Sequence, residues 1–205
     1  MLDKPATAPD DIPLPGLADP VHDAQRLFRA ALNALSRPGT IEPLPVPVAA
    51  PPPLNAWAGA LALTLIDGST PVWLDAPLDT PAVRTWLRFH CGCRLVDAPQ
   101  AAAFALVGDG AALADLSVFA LGPPEYPCYS ATVVVQVTGL ATGQAGRRLT
   151  GPGIADEARL EVSGLADGFW RALADNGALY PEGVDVFLAA PDALAGLPRS
   201  VMVED

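Results

Sequence analysis

Apolar residues recur at helical spacing in four segments of the chain, and these segments predict four helices. The first begins at Asp19-Pro20, because aspartate caps a helix and proline suits its first position, and it ends at Pro38-Gly39. The others cover residues 54–66, residues 80–91 with Gly92 as the stop, and residues 167–176 closed by Gly177. The predicted buried face of the first helix holds Val21, Ala24, Phe28, Ala31, Leu32 and Leu35.

Short runs of β-branched and apolar residues predict strands at residues 70–74, 104–107, 132–137, 147–149, 184–189 and 200–203. The run at 132–137 is continuous, as is typical of a strand covered on both faces, and residues 139–146 are predicted to form a hairpin loop. Helices and strands alternate along the chain. We therefore expect one layered α/β domain over residues 19–205, with a mixed β-sheet flanked by helices, after a flexible leader at residues 1–18.

Composition narrows the classes of partner. The chain has 205 residues, 51% of them hydrophobic, and a net charge of −11, so phosphate backbones and anionic membrane surfaces repel it. The longest apolar stretch, residues 54–66, is too short to span a bilayer, and the amino terminus lacks the pattern of a signal peptide. We expect a cytoplasmic protein that binds neither nucleic acid nor membrane, with its three cysteines reduced.

Lysine occurs once, at Lys4 in the leader. A P-loop, a protein kinase and a pyridoxal phosphate enzyme each need an ordered lysine in the site, so these three classes are excluded. The chain has no G-x-S-x-G motif, and no carboxylate pair at helical spacing lies inside an apolar stretch. We therefore predict no catalytic residue and no cofactor.

The run His90-Cys91-Gly92-Cys93 contains residue types that ligate zinc. Its three ligands fall within four residues and only Cys128 is left over, which does not match the two separated pairs of zinc sites or the spacing of iron–sulfur sites. The alternative is that His90 continues the apolar face of its helix, formed by Val83, Trp86 and Leu87. We favour this alternative and predict no metal site.

Arginines at two places suggest anion binding. The first place is the third helix, where Arg84 and Arg88 share a face that Cys91 extends and Arg94 follows closely. The alternative to an anion site here is a solvated face whose arginines pair with acidic residues. Arg147-Arg148 precede a glycine-rich turn, but successive strand residues point to opposite faces, and a type II turn centred on Pro152 and Gly153 is the simpler interpretation.

Three tyrosines are predicted to be exposed: Tyr126, Tyr129 and Tyr180. They suggest apolar surface that is buried in an interface.

Several stretches match a known family in order, and none is diagnostic alone. They are Pro20-Val21-His22-Asp23-Ala24-Gln25 with Phe28-Arg29, Ser36-Arg37-Pro38-Gly39, Leu63-Thr64-Leu65, Thr70-Pro71-Val72-Trp73-Leu74, Leu87-Arg88-Phe89-His90, Arg148-Leu149-Thr150-Gly151-Pro152-Gly153-Ile154, Tyr180-Pro181-Glu182-Gly183-Val184-Asp185 and Leu197-Pro198-Arg199. By this set the chain resembles the PhnH family, a subunit of the bacterial carbon–phosphorus lyase core complex.

The resemblance implies a fold like that of pyridoxal phosphate-dependent transferases without the cofactor site. It implies a homodimer in isolation and PhnG, PhnI and PhnJ type subunits as partners, in an assembly that converts alkylphosphonate and ATP to a ribose 1-phosphonate 5-triphosphate. The role implied is non-radical and mainly structural, with contact to phosphonate or ATP possible. The anion-binding candidates in matched stretches are Arg88, His90, Arg148, Thr150 and Arg199. The alternative is an independent binding protein or transferase for a phosphate- or phosphonate-bearing nucleotide.

Overall fold

The structure is a computed structural model that describes residues 13–204. Lys4 and most of the predicted leader lie outside the described residues. Four helices match the four predicted segments within a few residues: α1 (Pro20–Ser36), α2 (Ala56–Leu65), α3 (Pro81–Cys91) and α4 (Phe169–Gly177). No helix in this part of the chain combines the length and the apolarity needed to cross a bilayer.

Side-chain caps set the starts of the first three helices. The Asp19 carboxylate accepts hydrogen bonds from two amides at the start of α1, and Thr80 accepts one from Val83 at 3.3 Å at the start of α3. Gly92 ends α3 in the left-handed conformation, with φ of 64°. Asn55 caps α2 and also donates to the Ala189 carbonyl at 2.8 Å, so this cap fastens the helix to the sheet.

Eleven strands form two sheets in residues 13–204. They are β1 (Glu42–Pro43), β2 (Pro71–Leu74), β3 (Arg94–Val96), β4 (Phe104–Val107), β5 (Thr132–Gln136), β6 (Gly139–Ala141), β7 (Arg147–Thr150), β8 (Ala158–Ser163), β9 (Asp185–Ala189), β10 (Ala193–Leu197) and β11 (Met202–Glu204). The larger sheet has the order β1-β10-β9-β5-β4-β2-β3, and the smaller has β11-β7-β8-β6.

The larger sheet is mixed, as predicted. Its strands from β9 to β3 are parallel to one another, β10 runs antiparallel to β9, and β1 runs antiparallel to β10. The hairpin predicted at residues 139–146 was wrong, because β6 and β7 each pair with β8 and not with each other. The sequence pattern also missed β1, β3, β8 and β10. These strands are short or contain alanine, glycine and charged residues, so the β-branched signal is weak.

The core is divided by the larger sheet into two apolar layers. Alternate residues such as Val72, Val134 and Phe187 face α1, α2 and α3. Their neighbours, such as Val133 and Val186, face the smaller sheet and α4. The buried run in β5 confirms that this strand is covered on both faces. The architecture is therefore helices, a mixed sheet, and then a second small sheet with one helix.

The buried face predicted for α1 was largely wrong. Val21, Phe28 and Leu32 are 73%, 51% and 54% exposed. The buried face is instead Asp23, Leu27, Ala30, Ala31 and Ala34. Small side chains let α1 approach β10 closely: a Cβ added to Gly196 would lie 2.6 Å from the Ala34 carbonyl oxygen. Close backbone packing thus selects the alanine face and leaves the larger residues outside.

Candidate functional site

The side chain of Arg199, just after β10, donates hydrogen bonds to other residues of the chain from all three guanidinium nitrogens. Its Nε and Nη2 donate to the two carboxylate oxygens of Asp185 at 3.1 and 2.6 Å. Its Nη1 donates to the Pro127 carbonyl at 2.8 Å, and Nη2 also donates to Ser130 Oγ at 2.5 Å. The side chain is only 15% exposed. The guanidinium therefore ties β9 to the segment before β5, and few of its donors are free for a ligand.

Three tyrosines, exposed as the sequence predicted, lie in the loops that Arg199 joins. Tyr126 and Tyr129 are 58% and 69% exposed. Their rings stack, with centroids 5.5 Å apart and an interplanar angle of 27°. Tyr180 is 63% exposed and precedes Pro181, whose carbonyl lies 3.5 Å from Arg199 Nη1. Leu179 is 44% exposed. We call Tyr126, Tyr129, Leu179 and Tyr180 the tyrosine surface.

A cleft of about 590 Å³ adjoins the tyrosine surface at Leu179. It lies between the loop after β4 and α4, and its lining includes Asp115 and Leu121. In the same cleft Arg171 pairs with Asp175 at 3.1 Å. The paired charges cancel, so the Asp115 carboxylate leaves the cleft with a negative balance. Phosphate-bearing ligands are disfavoured in such surroundings.

Arg148 on β7 is neutralised by two carboxylates. Its Nε donates to Glu157 Oε2 at 2.7 Å, and its Nη1 pairs with Glu204. The hydrogen bond from Arg148 holds the pKa of Glu157 below its ordinary value. Two carboxylates thus already balance the charge of the guanidinium, which disfavours the binding of a further anion.

Thr150 ends the same strand, and its Oγ1 is buried without a hydrogen-bond partner in the described chain. In the turn that follows, the Ile154 amide donates to the Gly151 carbonyl at 3.2 Å, and Gly153 has a φ of 85°. Both features match the predicted turn centred on Pro152 and Gly153. A Cβ added to Gly153 would lie 2.0 Å from the Ser36 carbonyl oxygen. The turn thus packs against the end of α1, and two of the stretches used for the resemblance meet there.

Arg88 and His90 lie on α3, in the helical layer. The Arg88 side chain is exposed and makes no ion pair or hydrogen bond with residues 13–204. His90 Nε2 lies 2.8 Å from the Leu14 carbonyl, to which Trp86 Nε1 also donates at 3.1 Å. Because a carbonyl only accepts, Nε2 carries the hydrogen. His90 thus fastens the chain before α1 to α3.

The five predicted anion-binding residues do not converge on one site. Arg88 and His90 lie in the helical layer, Arg148 and Thr150 in the smaller sheet, and Arg199 at the end of the larger sheet. Of their three guanidinium groups, Arg88 alone lacks a carboxylate within residues 13–204. A role for these residues in ligand binding stays a prediction.

Cys91 in α3 and Cys93, directly before β3, are buried structural thiols. Cys91 Sγ donates to the Ala62 carbonyl at 3.5 Å, and Cys93 Sγ to the Leu87 carbonyl at 3.9 Å. Burial raises the pKa of the Cys91 thiol to about 12, so it stays protonated. Cys91 therefore does not extend the exposed face of Arg88, which corrects the sequence interpretation. Within residues 13–204 no group of three His, Cys, Asp or Glu side chains could hold a metal ion.

Sequence reasoning missed the partners that give Arg199 its role. Asp185 and Ser130 lie 14 and 69 residues away from it in the chain. Both Leu197-Pro198-Arg199 and the stretch ending at Asp185 are among the stretches that match the family. This match was the available signal, and it does not indicate that Arg199 contacts Asp185.

Comparison with known proteins identifies the family. The family model described as "Bacterial phosphonate metabolism protein (PhnH)" matches residues 15–204. The chain is 40% identical over 200 residues to the alpha-D-ribose 1-methylphosphonate 5-triphosphate synthase subunit PhnH of Rhizobium meliloti strain 1021, covering 97% of this chain and 98% of that protein. It is 34% identical over 182 residues to the putative C-P lyase subunit protein HtxG of Stutzerimonas stutzeri, covering 87% and 85% of the two chains. The chain therefore belongs to the PhnH family of bacterial phosphonate metabolism proteins.

Proposed function

We propose that this chain is a non-radical subunit of a carbon–phosphorus lyase core complex in the cytoplasm. It assists the conversion of alkylphosphonate and ATP to a ribose 1-phosphonate 5-triphosphate, in an assembly with PhnG, PhnI and PhnJ type subunits. The observation that carries the proposal is the 40% identity along almost the whole chain to a named subunit of the synthase. The pyridoxal phosphate transferase-like fold without its cofactor site belongs to the same proposal.

The arrangement of side chains supports a structural and assembly role. Arg148 and Arg199 form ion pairs with carboxylates of the same chain, and the five candidate residues lie in separate layers of the fold. The cleft beside α4 is negatively charged, which does not favour the alternative of an independent nucleotide-binding protein. The exposed aromatic and apolar side chains of the tyrosine surface and of α1 are those expected of a subunit that binds other proteins.

Co-purification tests the proposal. A tagged chain, expressed from its own locus in cells grown on methylphosphonate as the sole phosphorus source, should recover PhnG, PhnI and PhnJ type subunits. Deletion of the gene should abolish growth on methylphosphonate but not on phosphate. Recovery of the chain alone, together with normal growth of the deletion strain, would refute the proposal.

Arg88 is the candidate contact residue on the helical layer. We expect Arg88→Ala to leave folding intact, because the side chain is exposed and unpaired in residues 13–204, and to impair assembly or growth on methylphosphonate. Arg88→Lys keeps the charge and separates the loss of charge from the loss of the forked geometry. Wild-type growth of Arg88→Ala cells on methylphosphonate would remove Arg88 from the proposed contacts.

In isolation the chain is proposed to form a homodimer through α1. The exposed residues Val21, Phe28 and Leu32, with exposed Gln25 between them, follow spacings of four, three and four residues. This spacing is the same in both directions, so two antiparallel copies of α1 would place Val21 against Leu32 and Gln25 against Phe28. The antiparallel arrangement also sets the two helix dipoles in opposite directions, which favours the pairing.

Sedimentation analysis tests the dimer and its surface. Phe28→Glu should yield a monomer, whereas the matched control Phe89→Glu, at an aromatic that is 69% exposed on α3, should remain dimeric. A wild-type chain that is monomeric at micromolar concentration would refute the dimer. Equal dimerisation of both variants would refute the α1 surface.

A further inference from the structure

The tyrosine surface is rimmed by carboxylates without cation partners. Glu125 is exposed beside Tyr126, and Glu182 follows Tyr180 by two residues. Neither carboxylate forms an ion pair with residues 13–204. Arg199, which bonds the loops of the tyrosine surface, is committed to Asp185. The surface therefore combines exposed aromatic rings with an uncompensated negative charge.

This combination selects for a cationic partner. Arginine and lysine side chains bind the faces of aromatic rings and pair with carboxylates, whereas phosphates are repelled by the same carboxylates. The adjoining cleft carries the same sign, because Asp115 is its unpaired charge. A basic segment that reaches from the tyrosines into the cleft meets complementary charge over its whole length.

The surface is also fixed in place before any partner binds. Arg199 contacts the Pro127 and Pro181 carbonyls, which lie in the two loops that carry the tyrosines. Gly122, with φ of 76°, brings its own loop so close that an added Cβ would lie 2.8 Å from the Pro127 carbonyl oxygen. Rigid aromatic side chains on fixed loops lose little entropy on binding, as is found at the hot spots of interfaces.

We propose that the tyrosine surface, with Glu125 and Glu182, is the docking site for an arginine- or lysine-bearing segment of a partner protein. The inference rests on the proposed function in one respect: the partner is taken to be another subunit of the same complex. The tyrosine rings bind the cation and its aliphatic stem, and the two glutamates set the charge that the segment must carry.

The test uses the reconstituted complex of the full chain with its partner subunits. The double variant Tyr126→Ala/Tyr129→Ala and the charge reversal Glu125→Lys/Glu182→Lys should each weaken assembly by about tenfold or more. Tyr126→Phe/Tyr129→Phe should keep most of the affinity, because the ring faces remain. Met202→Ala, at a 58% exposed side chain on β11, is the control and should assemble like the wild type. Circular dichroism and thermal melting establish that each variant folds.

The outcomes separate this inference from the proposed function. If the wild-type chain does not assemble with the partner subunits, the proposed function fails. If the wild type assembles and both double variants assemble equally well, the docking site is refuted while the proposed function stands. Binding that is unaffected by charge reversal but lost with the tyrosines would refute the cationic partner. Saturable binding of ATP to the tyrosine surface, lost in Tyr126→Ala/Tyr129→Ala, would refute it in favour of a nucleotide.

Discussion

Replacement of Arg199 by alanine should destabilise the protein strongly, although the residue lies in a loop. The substitution removes the partner of the Asp185 carboxylate and three further hydrogen bonds, to the Pro127 and Pro181 carbonyls and to Ser130 Oγ. Breaking a buried ion pair costs about 3–5 kcal/mol. Because the two side chains are 15% and 26% exposed, water partly solvates the remaining carboxylate, and we expect a loss of roughly 2–4 kcal/mol.

Urea denaturation measures this loss, and thermal melting provides a second readout. For a domain of this size, a loss near 3 kcal/mol corresponds to a fall in Tm of roughly 6–12 °C. Arg199→Lys should recover only part of the stability, because an ammonium cannot reproduce the forked geometry. In a double-mutant cycle with Asp185→Asn, the two losses should not add, since both variants break the same pair.

The control for Arg199 is Arg171→Ala. Arg171 pairs with Asp175 on the surface of α4, where the side chains are 82% and 66% exposed, so its loss should cost at most about 0.5 kcal/mol. If Arg199→Ala were no more destabilising than Arg171→Ala, the tie between β9 and the segment before β5 would not contribute to stability. Arg199 would then not hold the tyrosine loops in place either.

Three further outcomes follow from local geometry. Gly153→Ala should lower the free energy of unfolding by about 2 kcal/mol or more, because the new methyl group would meet the Ser36 carbonyl at 2.0 Å and φ is 85°; an unchanged urea midpoint would contradict this. Asn176→Ala should cost about 2–3 kcal/mol, since the buried amide donates to and accepts from the backbone of Val184, directly before β9; a melting curve like that of the wild type would rule this out. Under native conditions a thiol reagent should label Cys128 alone, and rapid modification of Cys91 before unfolding would contradict its burial and raised pKa.

Local signals made the helix boundaries predictable from the sequence. Thr80, Pro81 and Gly92 fix both ends of α3 through hydrogen bonds and backbone conformation that involve only near neighbours. The buried face of α1 was not predictable in this way. The helix carries two apolar stripes, and the choice between them depends on the close approach of β10, more than 150 residues further along the chain.

The candidate site was predictable only in part, for the same reason. The exposure of the tyrosines was predictable from local sequence, because they lie among prolines and polar residues outside the apolar runs. The contacts of Arg199 join positions that are 14 to 72 residues apart, and no periodicity links them. Long-range contacts of this kind are fixed by the order of the strands, which short β-runs do not specify.

The strands at the borders of both sheets have a further consequence. β1 has two residues, one of them proline, and β3, β6 and β11 have three each, whereas β8 inside the smaller sheet has six. A strand from another molecule would find too few free amide and carbonyl groups at these borders to extend either sheet. Growth by β-strand addition is thereby blocked on every side of the described chain. Contacts with neighbouring molecules must therefore be made through side chains and not through the strand edges.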